Sequence, residues 1–154
     1  MLFDEEMMLL ALEEARKAAA EGEVPVGAVV TDGGGSVIAR AHNTRERTGK
    51  PTGHAEINAL EEAASVTGSR RLSECTLYVT LEPCPMCAGA VINSGIRRLV
   101  YGAFDENGGA CSSVINLFEC GFAHKPLVRS RILERECSEV LTDFFRALRE
   151  KDGG

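Results

Sequence analysis

The sequence predicts an α/β fold, a sheet covered by helices on both faces, in a single domain spanning residues 1–154. Three observations predict it. Valine- and leucine-rich runs alternate with segments whose apolar residues recur at helical spacing, and such alternation folds as a sheet layered with helices. The length of 154 residues suits one ordinary domain with its own core. No linker, low-complexity run or internal repeat interrupts the chain.

Residues 3–21 read as a helix: Met7, Leu10, Ala11, Ala15 and Ala18 recur at helical spacing, and Gly22 ends the run. Residues 24–31 form a valine-rich strand. Asp32-Gly33-Gly34-Gly35 is a turn signal, and residues 36–41 return as the second arm of a hairpin. Residues 44–53, with Gly49, Pro51 and Gly53, are a loop. A helix over 54–64 follows, with Thr52 as its expected N-cap. Residues 76–81 are a strand that runs straight into Glu82-Pro83-Cys84, and a helix over 84–93 is stopped by Gly95. Residues 98–102 are a strand, 105–109 a loop, 113–118 a short helix and 127–132 the last strand. Residues 134–149 close the chain as an amphipathic helix with Val140, Leu141, Phe144, Phe145 and Leu148 as its apolar residues.

Composition narrows the class. Apolar residues make up 44% and charged residues 26%, the profile of a water-soluble globular protein. No run of ~18 apolar residues exists, so no membrane helix is expected. Asp4, Glu5 and Glu6 stand where a secretory signal would carry positive charge, which makes the cytoplasm the expected compartment. The net charge of −6 argues against a protein that coats nucleic acid electrostatically. Local basic clusters remain at Arg45, Arg47 and Lys50 and at Arg146, Arg149 and Lys151; taken singly, such charges are ordinary solvated surface. Six cysteines are present, and without a secretory signal three disulfides are not expected. Cys75, Cys111, Cys120 and Cys137 read as small apolar residues.

Two fragments carry chemistry: Pro51-Thr52-Gly53-His54-Ala55-Glu56 and Glu82-Pro83-Cys84-Pro85-Met86-Cys87. Together they match His-x-Glu followed by Pro-Cys-x-x-Cys, the signature of zinc deaminases that act on nucleobases. Cys84 and Cys87, at i and i+3, share one face of a helix and can meet one metal. The helix start favours thiolate over thiol, and prolines are tolerated there. One His and two Cys fill three positions of a tetrahedral Zn²⁺ and leave the fourth for water, as catalytic sites do. His54 and Glu56, at i and i+2, point roughly 200° apart around a helix axis. His54 can therefore reach a metal while Glu56 faces substrate and moves protons. Alone, the cysteines could be a redox pair, His54 a hydrogen-bonded core residue and Glu56 a solvated one; their joint occurrence at two helix starts favours the zinc site.

From about residue 3 to 149 the chain resembles the cytidine deaminase-like superfamily and, within it, the tRNA-specific adenosine deaminases. The supporting segments are Glu23-Val24-Pro25-Val26-Gly27-Ala28-Val29-Val30, His42-Asn43-Thr44-Arg45, Thr76 through Cys84, Met86-Cys87-Ala88-Gly89-Ala90, Tyr101-Gly102-Ala103 and Asp143-Phe144-Phe145-Arg146. The resemblance implies a three-layer α/β/α sandwich with a five-stranded mixed sheet, one Zn²⁺ per subunit, a homodimer, and conversion of adenosine to inosine at the wobble position of a tRNA anticodon stem-loop, with no DNA partner. It implies substrate-binding roles for Asn43, Val26 and Gly53, and an RNA path along Arg45, Asp105, Phe145, Arg146 and Arg149. The chain departs from the usual family pattern at Lys50, Gly53, Ser112 and Ala123, and carries Phe104 in the loop after Tyr101-Gly102-Ala103. The competing readings are a deaminase of free guanine, cytosine or cytidine, a zinc-stabilised binding module, and a redox protein built on the cysteine pair.

Overall fold

Gly27–Thr31 (β1), Val37–His42 (β2), Thr76–Leu81 (β3), Arg98–Ala103 (β4) and Leu127–Arg129 (β5) form one five-stranded sheet in the order β2-β1-β3-β4-β5. The structure, a computed structural model, describes residues 1–153. β1 pairs antiparallel with both β2 and β3, whereas β3-β4 and β4-β5 are parallel, so the sheet is mixed. Alternate residues of the central strands point to opposite faces. Ala28, Val30, Leu77, Val79, Leu99 and Tyr101 pack against Ala55–Thr67 (α3) and Pro85–Ser94 (α4). Val29, Tyr78 and Val100 pack against Phe3–Ala20 (α1) and Glu134–Gly153 (α5). Covering both faces explains why β1 and β3 are buried along nearly their whole length and carry no charged residue. The expected three-layer sandwich is the one found.

Contact between α1 and the sheet is close enough to dictate sequence. A Cβ at Gly27 would sit 1.9 Å from the Ala11 carbonyl oxygen and 2.5 Å from the Ala15 nitrogen, so only glycine lets the helix lie against β1 there. Asp4, 8% exposed, ties the other end of α1 down: its carboxylate accepts from Tyr78 Oη at 2.9 Å, Arg98 Nη2 at 2.9 Å and Arg129 Nη1 at 2.8 Å. One side chain thus links α1 to β3, β4 and the short edge strand β5.

Several expected elements differ. The loop over 44–53 contains a single helical turn, Arg45–Thr48 (α2). Residues 24–26 precede β1 instead of belonging to it. The helix expected over 113–118 is absent; only a 3-10 turn, Leu117–Glu119, forms, because the Ser112 and Ser113 N–H groups are taken by the Glu82 carboxylate and Asn116 Oδ1 accepts from Phe118. β5 stops at Arg129 instead of 132, since Arg131 and Leu133 adopt φ values of 68° and 53° and turn the chain into α5. Thr52 does not cap α3: His54 is the N-cap residue, and the Ala55 N–H donates to Asn43 Oδ1 at 2.9 Å. The closing helix covers less than its pattern suggests, with Cys137 buried but Phe145 and Leu148 exposed.

Candidate active site

The carboxyl ends of β3 and β4 and the chain entering β1 meet at one end of the sheet, beside the first turns of α3 and α4. β3 delivers Glu82-Pro83-Cys84 directly to α4, where Cys84 is the N-cap residue, Pro85 opens the helix and Cys87 lies one turn in. His54 occupies the equivalent cap of α3 and Glu56 lies in that helix's first turn. Two helix N-termini therefore face one point and bring partial positive charge to it.

At that point His54 Nδ1 stands 3.7 Å from Cys84 Sγ and 3.5 Å from Cys87 Sγ, and the donor atoms of all three lie within 4.8 Å of one another. Donors around a tetrahedral zinc, with bonds of about 2.0–2.3 Å, stand about 3.5–3.8 Å apart, so both imidazole–sulfur separations fit an ion. The protonation pattern fits as well. The hydrogen bond from Cys87, and then that from His54, holds Cys84 down to about 4, as a thiolate. Cys87 keeps the proton it donates to Cys84 and is shifted upward, and the Cys84 thiolate likewise shifts His54 upward. A thiolate, a thiol in contact with it and an imidazole make a soft N/S/S donor set of the kind that suits a divalent metal.

Glu56 is 4% exposed, and burial pushes its carboxyl up from 4.5 to about 7. It lines a cavity of about 620 Å³ together with His54 and Cys84. Val26 and Asn43 form part of the wall, Leu81 and Phe104 supply apolar surface, and Arg45, Asp105 and Phe145 stand at the rim. An ion site, a buried carboxylate able to exchange a proton near neutrality and a partly apolar cavity are the parts needed for hydrolysis at a flat heterocycle.

A MafB19-like deaminase profile matches residues 3–149. The tRNA-specific adenosine deaminase of Bacillus subtilis strain 168 is 50% identical over 149 residues, spanning 96% of this chain and 92% of that protein. That of Haemophilus influenzae is 47% identical over 150 residues, spanning 97% and 87%. The chain belongs to this deaminase family. A solved structure from studies of A-to-I editing by tRNA:A34 deaminases at the wobble position of transfer RNA superposes on the deaminase with a TM-score of 0.85 at 45% identity, covering 88% of this chain and 99% of the other. A guanine deaminase structure from Nitrosomonas europaea gives a TM-score of 0.75 at 26% identity over 91% and 83% of the two chains.

Of the residues singled out in the deaminase sequence, the structure brings His54, Glu56, Cys84, Val26, Asn43, Arg45, Asp105 and Phe145 to one cavity. Cys87 sits beneath it, fully buried. Asn43 is already engaged on both sides, donating to the Val24 carbonyl at 3.0 Å and accepting from Ala55. Gly53 stands back from the wall, where its N–H donates to Lys50 and its carbonyl accepts from Thr44. Arg146 and Arg149 lie further along the exposed part of α5, with Arg146 3.3 Å from Asp143. All six cysteines are free.

Sequence reasoning missed two buried acids at the rim. Glu23 is 1% exposed and accepts from the Glu46 and Arg47 N–H groups at 2.9 and 2.8 Å, which fixes α2 and with it Arg45. Glu82, 2% exposed, organises the loop after β4. The signal for each was a glutamate just ahead of a proline-bearing motif, Glu23-Val24-Pro25 and Glu82-Pro83, where solvent-facing charge is not expected.

Proposed function

We propose that the chain hydrolyses adenosine to inosine at the wobble position of a tRNA anticodon stem-loop, with one Zn²⁺ held by His54, Cys84 and Cys87. The observation that carries this reading is the His54/Cys84/Cys87 cluster beside buried Glu56 in a cavity whose family is that of tRNA-specific adenosine deaminases. Zinc, when bound, supplies a Lewis acid that makes water a competent nucleophile near neutral pH. Glu56 then does the proton work. It takes a proton from the attacking water and delivers it to the purine nitrogen beside the attacked carbon. In a second transfer it takes the remaining proton from the new hydroxyl on the attacked carbon and gives it to the amino group, whose bond to that carbon breaks as the carbonyl forms, so that adenosine and water become inosine and ammonia. Val26 and Asn43, which line the cavity, are the residues we assign to the base.

An anticodon loop already presents unstacked bases, so placing one in the cavity costs less than flipping it from a duplex. That suits a chain with a net charge of −6 and only local basic clusters. We assign the RNA path to Arg45, Asp105 and Phe145, which line the cavity, and to Arg146 and Arg149 further along α5. RNA, not DNA, is the proposed partner, and the cytoplasm the implied compartment; no helix among the described residues is long and apolar enough to cross a membrane. We read the working form as a homodimer, supported by the exposed Leu127 and Val128 on the β5 edge.

The test uses the zinc-loaded protein with an RNA hairpin carrying adenosine at the wobble position, beside free guanine, cytosine and adenosine, with inosine and ammonia as readouts. Inosine in the hairpin is expected. Ammonia from a free base, with none from the hairpin, would overturn the RNA reading in favour of a free-base deaminase such as the Nitrosomonas structural neighbour.

A further inference from the structure

The geometry points to Glu82 as a positioning residue that holds one rim of the cleft, residues 104–113, in the shape that meets substrate; the inference rests on the reading of the cleft given above. Glu82 is 2% exposed, and no Lys, Arg or His pairs with it among the described residues. Its charge is satisfied by one short stretch of chain. Oε1 accepts the Asp105 N–H at 3.1 Å and the Ser113 hydroxyl; Oε2 accepts the N–H groups of Cys111 at 3.1 Å, Ser112 at 2.9 Å and Ser113 at 2.9 Å. Buried carboxylates persist only where donors of this kind surround them, and the donors are in turn held by the charge.

The stretch has its own backbone turns, with Gly109 N–H donating to the Asp105 carbonyl at 2.8 Å and Val114 N–H to the Gly109 carbonyl at 3.0 Å, and it is anchored in the core by buried Ala110 and Cys111; Glu82 is the one side chain that gathers both of its ends. Apart from the isolated bridge between Cys111 and Asn116, residues 104–116 form no ladder and no helix. Four of its N–H groups converge on the Glu82 carboxylate, with added ties from Ala110 N–H to the Pro83 carbonyl at 2.9 Å and from Glu82 N–H to the Ala103 carbonyl at 2.8 Å. The wrap is tight: a Cβ at position 109 would lie 2.3 Å from the Glu82 carboxyl carbon, so Gly109 is what lets the chain close over it. The same stretch carries Phe104, Asp105, Glu106 and Asn107 into the cavity wall. Asp105 Oδ1 continues the organisation outward by accepting from Asn107 and Gly108, each at 3.2 Å. Glu82 thus sets where these four side chains stand, without touching substrate itself.

Glu82→Gln tests this with a confined perturbation. The amide oxygen can keep the three N–H groups at 111–113. The amide NH₂ then faces the Ser113 hydroxyl, which can turn to accept, and the Asp105 N–H, which loses its acceptor. On the zinc-loaded full chain with the wobble-adenosine hairpin, the expected result is a KM raised about tenfold, the size of one lost charge-assisted hydrogen bond, with kcat within roughly a factor of three. Amide exchange should quicken in peptides covering 104–109 while α3, α4 and the sheet stay protected, and zinc should be retained. A fall in kcat with KM unchanged, loss of zinc, or faster exchange throughout would overturn the assignment and leave Glu82 a general stability residue. If Glu82→Gln does not fold, Ser113→Ala removes only the hydroxyl bond and should raise KM about two- to threefold; an unchanged KM there overturns the inference. A wild type that ignores the hairpin refutes the RNA reading, while the exchange measurement still judges Glu82.

Discussion

Replacing Glu56 with glutamine separates what the carboxylate does from what its burial costs. In the folded chain without metal, burial raises its pKa from 4.5 to about 7. An acid whose folded pKa is raised destabilises the fold wherever the unfolded chain would ionise it. The penalty is absent below about pH 4.5, grows through the interval and is complete above about pH 7. A carboxyl held at about 7 in place of 4.5 makes the full penalty about 3 kcal/mol, with about 1 kcal/mol present at pH 5. Glutamine has the same shape and no charge to desolvate. Metal-stripped Glu56→Gln should therefore be more stable than wild type by about 3 kcal/mol at pH 8 and by only about 1 kcal/mol at pH 5. Urea denaturation of both proteins at the two pH values measures this. The zinc-loaded variant should meanwhile lose about 10⁴-fold in turnover on the hairpin, the upper end of the range for general acid–base groups, since the carboxylate acts twice. Equal stability of the two proteins at pH 8, or a gain of the same size at both pH values, would refute the argument that burial sets this group's protonation. Full turnover with zinc retained would refute its catalytic role.

Asp4→Asn should destabilise the fold by about 2 kcal/mol at neutral pH. Arg98, with Tyr78 and Arg129, holds the wild-type carboxyl down from 3.8 to about 2, and the figure allows for partly exposed arginines. The wild type's advantage is full above about pH 4 and vanishes as the pH falls through about 2, so denaturant curves of the two proteins should converge there. Gly27→Ala should cost about 3 kcal/mol, since its Cβ meets backbone that cannot rotate away, and should lower Tm by roughly 10 °C in a thermal melt. Cys87→Ser should lose metal by elemental analysis and lose activity with it, because a hydroxyl is a poor ligand for a soft site. Raising salt should weaken hairpin binding with a shallow log–log slope, measured by titration at several ionic strengths; a steep slope would reveal a basic surface the chain does not otherwise show.

The cavity was legible in the sequence wherever its parts are local. Cys84 and Cys87 are one helical turn apart, and His54 and Glu56 flank the start of another helix, so spacing alone brings each pair to a helix N-terminus. Strand assignments over 76–81 and 98–102 held because both faces of those strands are covered and most of their residues are apolar or β-branched. What spacing could not show are contacts between distant segments. Thr52 is a reasonable cap by propensity, yet the α3 N-terminus is met by Asn43, twelve positions away. Residues 113–118 have a helical pattern, yet their first N–H groups go to Glu82, about thirty positions earlier. The early end of β5 depends on two left-handed residues that no composition rule places there.

His54 and Cys84 are separated by 84 − 54 = 30 positions, and the chain between them comprises all of α3 and β3. An ion joining them closes a covalent circuit around that segment, so in polymer terms it is a crosslink. Tying a loop of this length removes about 3–4 kcal/mol worth of freedom from the unfolded chain, by the same statistics that govern disulfides. A zinc ion held there, as proposed, would close this loop as well as make water reactive, and metal supply would then condition the protein's lifetime as well as its turnover.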